Sequence, residues 1–97
     1  MEDVAEKRAR LESDLQDLRQ RFIDKARIIE RMRVDVRRLE GLAALSRHQR
    51  SELERLNQHI EEHSETLREI RQATDERRAE YAELERTTSV RRRSLVS

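Results

Sequence analysis

The sequence predicts an all-α fold, a long coiled-coil helix with a phase break near residues 39–50. Three observations lead to this prediction: 44% of the 97 residues are charged, glycine occurs once and proline not at all, and apolar residues recur in steps of three and four. Glycine and proline disfavour helices most strongly, so their scarcity suits a long helix. Alternating steps of three and four average 3.5 residues, which is the coiled-coil repeat.

The first coiled-coil segment is predicted over residues 3–40. One apolar stripe runs along it, and only Lys25 interrupts the stripe. Lys25 has two interpretations: it selects the register or the partner by meeting a carboxylate on a facing helix, or its stem lies along the seam while its ammonium group reaches water. The predicted interface residues of this segment are Leu11, Leu15, Leu18, Phe22, Ile29, Met32, Val36 and Leu39.

A second, weaker coiled-coil segment is predicted over residues 53–88. Its stripe keeps the same spacing, but the polar residues His63, Thr74 and Arg77 occupy seam positions. His63 and Arg77, like Lys25, are candidates for partner or register selection. The predicted interface residues of this segment are Leu53, Leu56, Ile60, Leu67, Ile70, Tyr81 and Leu84.

Residues 41–52 are predicted to be a phase break or hinge. Extending the second stripe backwards places Leu39 and Leu42 in its frame, so the two stripes differ by a shift of three residues. A shift of this size locally overwinds a coiled coil, and one continuous helix can accommodate it. The continuous helix is the first interpretation, with Leu42 as a further interface residue.

The alternative is an antiparallel two-helix hairpin that bends at about residues 41–51. Gly41 would end the first helix in the left-handed conformation that glycine adopts readily. A Ser-x-x-Glu or Ser-x-x-Gln capping box would then begin the second helix. Two such boxes are present, Ser51 with Glu54 and Ser46 with Gln49.

Residues 89–97 are predicted to form a basic, flexible tail. Arg91, Arg92 and Arg93 precede Ser94, and this stretch resembles the consensus of basophilic kinases such as the cyclic-AMP-dependent kinase. The resemblance implies phosphorylation at Ser94. A phosphate there would add nearly two negative charges beside the three arginines and change what the tail binds.

No catalytic, cofactor-binding or metal-binding residue is predicted. The stretch from His59 to His63 resembles the H-x-x-E-H pattern of inverted zinc peptidases, but a coiled coil offers neither a third ligand nor a pocket. The chain contains no cysteine, which excludes disulfides and thiolate metal sites. No apolar run is long enough to span a membrane, and the mixed charge argues against a membrane-surface helix.

These observations predict a non-enzymatic structural or assembly protein that associates through coiled-coil packing. The chain resembles coiled-coil segments of cytoskeletal, motor-associated and tethering proteins in its heptads alone. Its expected partner is another helical protein, either a second copy or a different chain, and its expected location is intracellular, in the cytoplasm. One alternative is a regulatory adaptor whose basic tail docks on an acidic surface. A nucleic-acid-binding zipper is a weaker alternative, because the flank before the heptads is acidic rather than basic.

Overall fold

The structure, a computed structural model, describes residues 2–96, with side chains described through residue 91. These residues form two α-helices, α1 (Val4–Glu40) and α2 (Arg47–Val96), joined by a turn at residues 41–46. The helices lie antiparallel, and the molecule measures 76 Å along its longest axis. The predicted all-α class is confirmed.

The two-helix hairpin is confirmed, and the continuous helix is wrong. The chain leaves α1 after Glu40 and enters α2 at Arg47, within the bend predicted at about residues 41–51. Apart from Gly41, which costs a helix only about 1 kcal/mol, no residue of the turn is a helix breaker, so local propensity alone does not select the bend. A single helix would leave its whole apolar stripe in water, and folding back covers part of it.

Helix α1 is capped at both ends by its own sequence. Oδ1 of Asp3 accepts a hydrogen bond from the Glu6 amide at 2.8 Å, as an N-cap residue does. At the other end the Gly41 amide donates to the Arg37 carbonyl at 3.0 Å, and the Leu42 amide donates to the Leu39 carbonyl at 3.2 Å.

The left-handed conformation predicted for Gly41 is wrong. Gly41 has φ −77° and ψ −9°, a right-handed conformation. The reason is that the last turn of α1 tightens into a 3₁₀-type turn, in which the Leu42 amide donates to the carbonyl three residues earlier. The chain therefore does not reverse its direction at the glycine.

Helix α2 begins with a reciprocal capping box. The Gln49 amide donates to Oγ of Ser46 at 3.1 Å, and the Ser46 amide donates to Oε1 of Gln49 at 2.9 Å. Of the two boxes in the sequence, this one forms. The other begins at Ser51, which already lies inside α2 and therefore caps nothing.

Replacing Ser46 with alanine should lower the free energy of unfolding by about 1 kcal/mol, because the Gln49 amide loses its acceptor. Ser51→Ala is the matched control, since alanine in an exposed helix interior is neutral or slightly stabilising. Urea unfolding followed by circular dichroism measures both variants. A larger loss for Ser51→Ala than for Ser46→Ala would mean that α2 begins at the other box.

The apolar core of the described residues is small and lies in two parts, one near the open end of the hairpin and one between Ile29 and the turn. No described polar or charged side chain is buried with it. Its buried members are Leu11, Ile29, Val36, Leu39 and Leu84. The middle of the hairpin is therefore the less completely covered part.

The backbone of α2 stays helical as far as Val96, so the predicted tail begins as a continuation of the helix. Arg91 is exposed. Arg92, Arg93 and Ser94 lie outside the residues whose side chains are described. The flexibility of the tail and the phosphorylation of Ser94 stay predictions.

Candidate helix-binding site

The predicted interface residues fall into three classes of burial. Five are the buried core residues named above, and Leu42, in the turn, is 43% exposed. The rest are half-buried, so each arm covers only one side of the other arm's stripe. These half-buried residues are Leu15, Leu18, Phe22, Met32, Leu53, Leu56, Ile60, Leu67, Ile70 and Tyr81.

One polar layer crosses the seam between the arms. Nζ of Lys25 lies 3.1 Å from Nδ1 of His63, and both side chains are half-buried. The ammonium group is the donor when Nδ1 is unprotonated. Lys25 thus meets an imidazole on the facing helix rather than the expected carboxylate. Whether this layer selects a register or a partner stays a prediction.

The other seam cation forms ion pairs. Nε of Arg77 lies 3.3 Å from Oδ2 of Asp14 on the facing arm, and its Nη1 lies 3.0 Å from Oε1 of Glu80 on its own arm. Nearer the open end, Nε of Arg8 lies 2.7 Å from Oε1 of Glu85. These groups are partly exposed, so each pair contributes little to stability. Whether Arg77 selects a register or a partner stays a prediction.

The two histidines of the H-x-x-E-H stretch contact different groups. Nδ1 of His59 lies 3.4 Å from Oε2 of Glu62, whereas Nδ1 of His63 faces Lys25. Among the described residues, no group of three or more histidine, cysteine, aspartate or glutamate side chains is arranged to hold a metal ion.

An open groove of about 740 Å³ runs between the arms on one face of the hairpin. We call it the aromatic groove. Its apolar floor contains Leu15, Phe22 and Tyr81. The guanidinium of Arg71 lies 5.8 Å from the centroid of the Phe22 ring, within range of a cation–π contact. The charged side chains along the groove are Glu12, Arg19, Arg71, Asp75 and Arg78.

A second groove lies on the opposite face, and we call it the aliphatic groove. Its apolar lining is Leu18, Ile28, Ile70 and Ala73. Ile28 and Ala73 were not among the predicted interface residues. Both flank a seam position, and the signal that could have found them is an apolar residue where a two-stranded coiled coil normally carries charge.

Tyr81, which lines the aromatic groove on α2, forms a hydrogen bond with a residue of α1. Its hydroxyl donates a hydrogen bond to Oε1 of Glu12 at 3.1 Å. That hydrogen bond is the main cause that raises the pKa of Tyr81 above its usual 10.0, and desolvation and the charge of Glu12 add to the rise. The folded hairpin therefore favours the protonated phenol over the phenolate.

The Tyr81–Glu12 contact should make the stability of the hairpin fall in strongly alkaline solution. A group with a raised folded pKa contributes stability below its unfolded pKa and loses it as the pH rises through the folded pKa. Thermal unfolding at about pH 9 and about pH 11 should therefore show a larger drop in Tm for the wild type than for Tyr81→Phe. The comparison cancels lysine titration, which both proteins share. Equal drops would show that the contact does not persist in solution.

Comparison with known protein families, curated proteins and solved structures finds no match to this chain. Neither described helix contains a segment long and apolar enough to cross a membrane.

Proposed function

We propose that this chain is a non-enzymatic structural protein that assembles by packing further helices against the hairpin, as a scaffold or subunit of a larger complex. One observation carries the proposal: the hairpin has a solvent-accessible surface of 7967 Å². A compact monomer of 11.7 kDa is expected to expose about 5,900 Å². The excess of about 2,000 Å² is of the size that helical subunits bury on association.

The distribution of apolar side chains supports the same proposal. Most of the stripe residues are half-buried, because two helices cover only one side of each stripe. A four-helix bundle covers the remaining side, with neighbouring helices packed at a shallow angle around a common core. Helices added along either groove would convert these half-buried residues into a continuous core.

The kind of partner follows from the surface that receives it. An open groove between two antiparallel helices fits another amphipathic helix better than it fits a small molecule. The partner is therefore a helical protein, a second copy or a different chain. A cytoskeletal or tethering role and a cytoplasmic location belong to the same proposal and rest on the sequence expectations.

The proposal is tested by the concentration dependence of folding. Association stabilises the folded state by mass action, so Tm should rise between about 5 µM and about 500 µM chain if the protein assembles with itself. If the partner is a different chain, the isolated protein should remain a weakly helical monomer. A monomer that melts cooperatively at a high, concentration-independent Tm contradicts the proposal, because such a hairpin needs no further helices. Circular dichroism and sedimentation equilibrium on the full chain supply these measurements.

A further inference from the structure

We propose that the aromatic groove binds a second copy of this hairpin across a two-fold axis and so forms an antiparallel four-helix bundle. The axis crosses the groove at right angles to its length, midway between its ends. In this arrangement α1 faces α1 of the copy, α2 faces α2 of the copy, and the two turns lie at opposite ends. The inference rests on the proposed function and names the partner and the face.

The order of charges along the groove is self-complementary. Glu12 and Tyr81 lie at the end nearer the chain termini, whereas Arg71 lies over Phe22 at the end nearer the turn. A two-fold axis at the middle brings each end against the opposite end of the copy. Glu12 then faces the basic end of the copy, and every such pair occurs twice because the interface is isologous.

In the middle of the groove, α2 alone carries two opposite charges that are placed symmetrically about the two-fold axis. Asp75 and Arg78 lie on the same rim, on either side of the midpoint between Arg71 and Tyr81. Two antiparallel copies of α2 therefore place Asp75 of each chain beside Arg78 of the other. Attraction at both symmetric positions therefore supports the antiparallel arrangement of the two copies.

Three of the groove charges have no ion-pair partner among the residues whose side chains are described. Across residues 2–91, Arg19, Asp75 and Arg78 form no ion pair, whereas cations outside the groove such as Arg8 and Arg77 reach carboxylates on the facing arm. A row of uncompensated charges of both signs beside an apolar floor is the pattern of an interface with a charged rim.

The groove floor supplies the apolar centre of the interface. Phe22 and Tyr81 are the two aromatic residues of the chain, and both line this one groove with Leu15 between them. Buried aromatic side chains contribute disproportionately to binding. The aromatic groove is therefore the face of the hairpin on which a second copy finds aromatic side chains to bury.

The aliphatic groove does not suit a second copy in the same way. The same two-fold operation across it would bring Arg21 opposite both Lys25 and Asp24 of the copy, so repulsion and attraction would offset each other. Lys25 is in addition already engaged with His63. The charges therefore favour self-association through the aromatic groove.

Charge reversal at two positions tests the inference. Arg78→Glu and Asp75→Arg, each alone, should weaken self-association about tenfold or more, because like charges then meet at both symmetric positions. A mixture of the two variants should associate as tightly as the wild type, since each supplies the opposite charge to the other. The double variant Asp75→Arg with Arg78→Glu should also recover. Sedimentation equilibrium measures the dissociation constants, and circular dichroism at a concentration where the variants still associate checks that the helices form.

Arg31→Glu is the matched control, because Arg31 is exposed and lines neither groove, and it should leave self-association unchanged. If neither single reversal changes self-association, the aromatic groove is not the interface between the copies. The proposal that the chain assembles through helix packing is then unaffected. A wild-type chain that stays a weakly helical monomer at about 500 µM overturns the second copy as partner and points the proposed function to a different helical chain. A stably folded monomer overturns both the inference and the proposed function.

Discussion

Replacing Ile29 with aspartate should unfold the hairpin. Ile29 is 4% exposed and packs between the arms, so a carboxylate there is removed from water, and the ammonium group of Lys25 one turn away already contacts His63. The variant loses the apolar burial of isoleucine and gains a buried carboxylate, so the free energy of unfolding should fall by about 4 kcal/mol or more. Because domains are stable by only about 5–15 kcal/mol, most of the helical signal should disappear.

Val34→Asp is the matched control for Ile29→Asp. Val34 lies on the same helix but is 51% exposed, so the same change in side-chain chemistry should cost little there. Circular dichroism at high protein concentration compares the two variants under conditions that favour assembly. An Ile29→Asp protein that remains as helical and as stable as Val34→Asp would mean that the arms do not pack along this stripe.

Replacing Lys25 and His63 together with leucine should stabilise the hairpin by about 1–4 kcal/mol. The pair is half-buried, and an apolar layer of similar volume avoids the cost of desolvating a polar contact. Either single replacement should stabilise less or destabilise, because one polar group then faces leucine. Urea unfolding of the two single variants and the double variant forms a complete double-mutant cycle.

The gain in stability should be accompanied by a loss of register specificity. A polar group at a seam position disfavours shifted pairings in which it would lie against apolar side chains. Spin labels at the exposed residues Gln20 and Gln72 measure this effect, and the double variant should show a broader distance distribution than the wild type. A double variant that is less stable than the wild type would assign the polar layer a net stabilising role instead.

The sequence predicted the helices and the apolar stripe because both depend on local spacing. α1 ends at Glu40, where the first segment was expected to end, and one of the two capping boxes in the sequence begins α2. The bend itself could not be decided locally, since the turn contains no strong breaker and a glycine inside a helix costs only about 1 kcal/mol. The packing between two apolar stripes that are far apart in the sequence decides the bend.

The site was less predictable than the helices for the same reason. Lys25 and His63 were each recognised as polar seam residues, but their mutual contact depends on the register of the hairpin, which spacing within one arm does not specify. The two grooves likewise arise only when the arms lie side by side. Ile28 shows what was missed: an apolar residue just beside the stripe becomes part of a surface once a second helix is adjacent.

The antiparallel course of the arms determines how the molecule responds to mechanical load. Val4 and Ser89 lie at the same end, and the turn lies at the other end of a 76 Å rod. A force that pulls the two arms apart at the open end would peel them one layer at a time, starting at the Arg8–Glu85 pair and the Leu11 and Leu84 layer. A force between the turn and the open end would instead be shared by both helices along their axes. The hairpin is therefore weak against a force that separates its arms and stiff against a force along its long axis.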